Sequence, residues 1–114
     1  MTRLLPLTVL GVLAFAAPAV AADKDMIAHG KMVFDNWCAP CHAPGPRHPG
    51  TQALAALYKG EKPDALENRT DLTPEIVSTF VRTGVSVMPF FRKTEVSDDD
   101  LAALGAYLSR KLTN

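Results

Sequence analysis

The sequence predicts an all-α fold. Three segments place apolar residues at helical spacing, and each segment has recognisable start or stop residues. Between them lie stretches rich in Pro and Gly or in polar residues, and no stretch alternates apolar and polar residues as a half-buried strand does. At 114 residues the chain has room for one domain.

The elements follow in chain order. Arg3 carries the only early charge, Leu4 to Val20 are almost wholly apolar, and Ala19-Val20-Ala21-Ala22 supplies the small residues a signal peptidase reads. Residues 1–22 are therefore expected to be a cleaved signal peptide, and 23–114 the working domain. A retained anchor is the competing reading, but Pro6, Gly11 and Pro18 interrupt the apolar run. The destination implied is outside the cytoplasm, most simply a bacterial periplasm, with no membrane span in the mature chain. From Asp25 to Trp37 the residues Ile27, Gly30, Phe34 and Trp37 recur on one helical face. Ala43 to Gly50 is dense in Pro and Gly and must be loop. Thr51 is expected to cap a short helix through Lys59, stopped by Gly60, and residues 61–72 are irregular with one helical turn near Asp64 to Asn68. Next, Thr73 as cap, Pro74 at the first position and Glu75 beside it open a helix that Gly84 closes, with Ile76, Val77, Phe80 and Val81 as its buried face. Val85 to Glu95 reads as an extended loop. Ser97 and Asp100 form a variant capping box for a last helix lined by Leu101, Leu104, Leu108 and Leu112.

The chemistry concentrates in Cys38-Ala39-Pro40-Cys41-His42, which has the spacing of a c-type haem attachment site. Two thiols on one helical turn can each form a thioether with one porphyrin vinyl group, and the adjacent imidazole can then ligate the iron. Haem c, covalent and single, is the implied cofactor: Cys38 and Cys41 bind it, and His42 is one axial ligand. Met88 is the expected second ligand. It lies 46 residues downstream in a loop stiffened by Pro89, and a thioether favours ferrous iron and raises the potential. Met26, Met32 and His29 share the helix leading into Cys38, and His48 follows His42 closely in a rigid loop, so all four are weaker candidates. The ring N–H of His42 should donate to a backbone carbonyl, from Pro46 or, preferably, Pro49. Tyr58, Trp37 and Arg82 are candidate propionate partners, with packing or solvated surface as equal alternatives. Asp98-Asp99-Asp100 reads as charge offsetting the dipole of the last helix rather than as a metal cluster. No side chain need act as an acid, base or nucleophile.

Charge excludes other classes. The 12 acidic and 12 basic residues balance, and loss of Arg3 leaves a net charge of about −1, which offers no basic stripe for nucleic acid. A thiol–disulfide enzyme is the alternative reading of Cys38 and Cys41, but that motif belongs after a strand in a βαβ unit, and a helical stretch precedes it here.

The chain resembles the small class I cytochromes c over essentially its whole mature length. Gly30 and Phe34 precede Cys38 by eight and four residues as in that family's first helix, and Leu104 and Tyr107 match the pair on its last. The resemblance implies that the N- and C-terminal helices cross around the covalently bound haem, with Gly30 permitting the close approach of Leu104 and Tyr107. Three longer segments, His48 to Ala55, Asp71 to Glu75 and Met88 to Glu95, look like the cytochrome subunit of the 4-alkylphenol flavocytochromes, p-cresol methylhydroxylase and eugenol hydroxylase. That likeness implies an electron-transfer subunit and not an enzyme in itself. Its partner would be a flavoprotein dehydrogenase subunit carrying FAD and oxidising the phenol, and its downstream acceptor a redox protein such as a blue-copper protein or another cytochrome. A free periplasmic shuttle is the alternative. Shuttles usually carry a charged docking ring; the near-neutral charge and Phe90-Phe91 lean toward a standing apolar interface.

Overall fold

The computed structural model describes residues 19–112. The expected signal peptide therefore lies outside the described residues, apart from the helical backbone of 19–22. Among the described residues there are five α-helices: α1 Ala19–Val33, α2 Ala39–His42, α3 Pro49–Tyr58, α4 Pro74–Thr83 and α5 Asp98–Ser109. A wide π-type turn, Phe34–Cys38, joins α1 to α2, and a single 3₁₀ turn covers Leu66–Asn68. The described residues form no strand, only an isolated antiparallel bridge between Val85 and Met88. The all-α expectation holds.

Packing of α1 on α5 dominates the molecule, and α4 then lies against α5. Glycine makes the first contact possible. A Cβ on Gly30 would stand 2.6 Å from both the Ala103 carbonyl carbon and Tyr107 Cβ, so the α1 backbone rests directly on α5. The close partners are thus Ala103 and Tyr107, whereas Leu104, named by the resemblance, is fully buried beside them. Phe34, Leu104 and Val96 are each 1% exposed and form the centre of the core, with the Phe34 and Tyr107 rings 5.9 Å apart. His29, a weaker ligand candidate on this helix, bonds through Nε2 to Asp100 Oδ1 at 2.7 Å and ties α1 to the first turn of α5.

The termini of the helices follow their sequences, with two revisions. Thr73 Oγ1 accepts the Ile76 N–H, and Ser97 and Asp100 exchange bonds in a complete capping box. In α3, however, the helix starts at Pro49 and not after Thr51. Proline is at home in the first turn because its missing N–H had no helical partner there. Thr51 does not cap the helix but lies inside it, buried, and donates its hydroxyl to the Ala43 carbonyl at 2.8 Å. On α4, Val77 and Val81 pack into the core against α5, while Ile76 and Phe80, 39% and 44% exposed, form an apolar strip beside that contact. Leu112 falls beyond the end of α5 and is largely exposed.

Candidate haem and axial-ligand site

Cys38, Ala39, Pro40, Cys41 and His42 continue the line of α1 without a break. The π-type turn delivers Cys38, and Pro40 is accommodated in the first turn of α2. Cys38 is half-buried, Cys41 is exposed, and both are free thiols. One short helical stretch thus presents both sulfurs and the imidazole, as the spacing predicts. Burial, followed by the neighbouring Cys41, pushes the Cys38 thiol up to about 12. Redox-active CxxC thiols are tuned in the other direction, so this environment speaks against the thiol–disulfide alternative.

The loop after the motif folds back over it. The His48 ring N–H donates to the Pro40 carbonyl at 3.1 Å, and the Thr51 hydroxyl donates to the Ala43 carbonyl. Gly50 then passes against the imidazole: a Cβ there would sit 2.6 Å from His42 Cε1 and 2.8 Å from Nδ1. Only glycine fits. Burial lowers the pKa of His42, which keeps the ring neutral and able to bind a metal. Its Nδ1 is buried without a hydrogen-bond partner among the described residues, so the expected bond to Pro46 or Pro49 is not made. Proximity of the glycine backbone fixes the ring plane sterically instead. Sequence reading misses Gly50, which looks like one more loop glycine.

Met88 comes from a separate element and is half-buried. Val85 and Met88 exchange two backbone hydrogen bonds, 3.1 and 2.9 Å, around a tight turn whose Ser86 has φ +53°. That turn stands directly on the end of α4. Gly84, with φ +68°, could not carry a Cβ without meeting the Met88 carbonyl oxygen at 2.7 Å and the Phe90 nitrogen at 2.9 Å. Three residues past Met88, the Phe91 N–H donates to the Val81 carbonyl at 2.8 Å. The Phe91 ring meets Trp37 edge-on at 5.8 Å, and Trp37 is the residue before Cys38. The Met88 loop and the attachment helix are therefore in register through one aromatic pair.

The candidate propionate partners have other engagements. Arg82 bonds to the carbonyls of Phe91 and Val96 and to Asp98. Tyr58 lies under the guanidinium of Arg69, 4.8 Å from the ring centre, with Lys62 at 5.5 Å. Arg69 is buried and paired with Asp71 at 2.6 and 2.8 Å, a buried charge that its polar neighbourhood in the sequence does not flag. Of the three acidic residues opening α5, Asp98 pairs with Arg82 and Lys93, and Asp100 serves the capping box and His29.

The donor set fits a covalently attached haem: two free thiols on one turn, a neutral buried imidazole and a half-buried thioether. Ile76 and Phe80 add apolar surface on α4 suited to a large planar group. Family comparison agrees. The sequence profile of the family described as cytochrome c oxidase, cbb3-type, subunit III matches residues 25–108. The chain belongs to the cytochrome c family. Cytochrome c6 of Cyanidioschyzon merolae (strain NIES-3377 / 10D) is 35% identical over 88 residues, covering 77% of this chain and 74% of that protein. Cytochrome c6 of Cladophora glomerata is 32% identical over 94 residues, covering 81% of this chain and 96% of that protein. No solved structure matches significantly. As a cytochrome c the protein is an electron carrier and not an enzyme, and the group such proteins carry is covalently bound haem c. No helix among the described residues is long and apolar enough to cross a membrane.

Proposed function

We propose that this cytochrome c accepts electrons one at a time from a flavoprotein dehydrogenase subunit that oxidises 4-alkylphenols, and passes them to an external acceptor. Cys38 and Cys41 hold the haem as thioethers, and His42 and Met88 are its axial ligands. Residues 1–22 direct export and are removed, leaving 23–114 in the periplasm. Bound haem supplies a one-electron ferric–ferrous couple. The chain's own residues do the rest: α1 and α2 present the sulfurs, Gly50 orients the imidazole of His42, and the loop from Val85 to Phe91 presents Met88.

For the partner, the observation that carries the reading is the exposed apolar surface beside Met88. Val87 is 93% exposed, Phe90 60% and Val85 51%, in a segment whose sequence looks like the cytochrome subunit of the 4-alkylphenol flavocytochromes. Nearby cations are neutralised locally, Arg92 by Glu95 and Lys93 by Asp98, so the surface offers an apolar patch and not a charged ring. Such a patch suits a standing interface better than a brief, electrostatically steered encounter. Gel filtration of the native protein, monitored for haem and flavin together, tests this: both chromophores should elute in one peak larger than a lone small protein. A haem peak at monomer size, free of flavin, would instead establish the second reading, a free shuttle. That alternative is favoured by the near-complete coverage, 96%, of the Cladophora cytochrome c6, a protein of single-domain length.

A further inference from the structure

We propose that Arg82 is a positioning residue that clamps the Met88 loop, and so governs how firmly Met88 stays on the iron; this rests on the reading of Met88 as an axial ligand. Arg82 lies in the last turn of α4 with its side chain 22% exposed. Nη1 donates to the Phe91 carbonyl at 3.0 Å and to the Val96 carbonyl at 2.9 Å, while Nη2 donates to Asp98 Oδ1 at 2.9 Å. One guanidinium therefore joins α4 to Phe91 and Val96 of the connecting segment and to Asp98, the first residue of α5.

Val96 in the core and the Lys93–Asp98 pair hold the far end of the segment, but little besides Arg82 ties its Phe91 end to α4 through polar groups. Among the described residues its own backbone bonds are confined to a turn in which Glu95 and Val96 donate to the Arg92 carbonyl. Phe91 is the anchor that matters, because both of its backbone polar groups are taken by the end of α4: its N–H by Val81 and its C=O by Arg82. Its ring meanwhile sits on Trp37, next to Cys38. Met88 is thus suspended between two fixed points, Gly84 on one side and Phe91 on the other, and Arg82 supplies one bond of the second. Charged donors make the stronger hydrogen bonds, and the planar fork of arginine reaches several acceptors in directions a lysine ammonium cannot reproduce. Loss of the fork leaves two carbonyls without their donor and frees the loop to swing.

The test is imidazole titration of the ferric holoprotein, followed at the red sulfur–iron charge-transfer band. Added imidazole binds iron only in molecules whose Met88 has left, so its apparent affinity tracks the loop-released fraction. Arg82→Lys should lower the half-saturating imidazole concentration about tenfold and speed amide exchange at Phe91. Val77→Ala, which removes buried volume from the same helix without touching a bond to the loop, should lower the melting temperature while moving the titration far less. A titration of Arg82→Lys within about twofold of the parent, or an equal displacement in Val77→Ala, overturns the clamp. Met88→Ala separates the two layers. Loss of the red band there with an unmoved Arg82→Lys titration rejects the clamp alone, whereas a red band that survives removes Met88 as ligand and the clamp with it.

Discussion

His42 shows how single residues make the site. Its imidazole is held neutral by burial and its plane is set by Gly50, a residue with no side chain at all. Met88 is the complementary case, a soft donor held by its backbone, which bonds twice to Val85. Met88→Ala should retain pigment, since the thioethers are untouched, yet lose the red band and shift to a lower potential because the soft ligand is gone. Visible spectroscopy and redox titration check this, and an unchanged spectrum would move the ligand elsewhere. The expectation for these residues comes from the sequence because its basis is local: five consecutive residues have the spacing of an attachment site, and a methionine before a proline in a post-helical loop is placed as a ligand would be. Gly50 and Arg82 are not legible in this way. Their roles depend on the chain crossing over itself, and a Pro-Gly loop or a helical arginine looks the same with or without such a neighbour.

Elements are read best where caps and periodicity agree. Thr73-Pro74-Glu75 and Ser97 with Asp100 set the starts of α4 and α5 where the sequence places them. The start of α3 differs by three residues because Thr51 resembles a cap but spends its hydroxyl on Ala43. On α4 periodicity finds the apolar residues but not what covers them: only Val77 and Val81 are taken up by the core. The crossing of α1 on α5 gives a sharp expectation. Gly30→Ala must force backbone apart, since Ala103 and Tyr107 offer no flexible side-chain end to yield. Overpacking of this kind costs about 1–3 kcal/mol, and each kcal/mol lowers the melting temperature of a domain this size by about 4–8 °C. Thermal unfolding followed by circular dichroism would refute the tight crossing if the melting point held within about a degree.

Across the whole molecule, stability depends on acidity through pairs far from the site. Asp71 is held well below the usual carboxylate range first by Arg69 and then by Lys62. A carboxyl depressed in the folded state stabilises fully above its unfolded value of about 4, and that contribution fades as the pH falls through and below it. Asp71→Asn should therefore destabilise at neutral pH by on the order of 1 kcal/mol, a modest figure because Asp71 is 40% exposed and solvent screens the pair. In strongly acid solution the variant and parent should converge. A gap that stays constant from neutral to acid pH would show that Asp71 contributes by shape and not by charge.

The π-type turn at Phe34–Cys38 carries a consequence for how this chain can evolve. Each residue of a regular helix advances about 100° around the axis, so one surplus residue re-aims everything downstream by roughly that amount. Gly30 and Phe34 can face the crossing partner while the sulfurs look elsewhere, although both belong to one rod. Deleting a single residue inside the turn would leave each half intact yet re-aim both thiols relative to the crossing of α1 on α5. Insertions and deletions are thereby excluded from a stretch that contains no catalytic group, by phase alone.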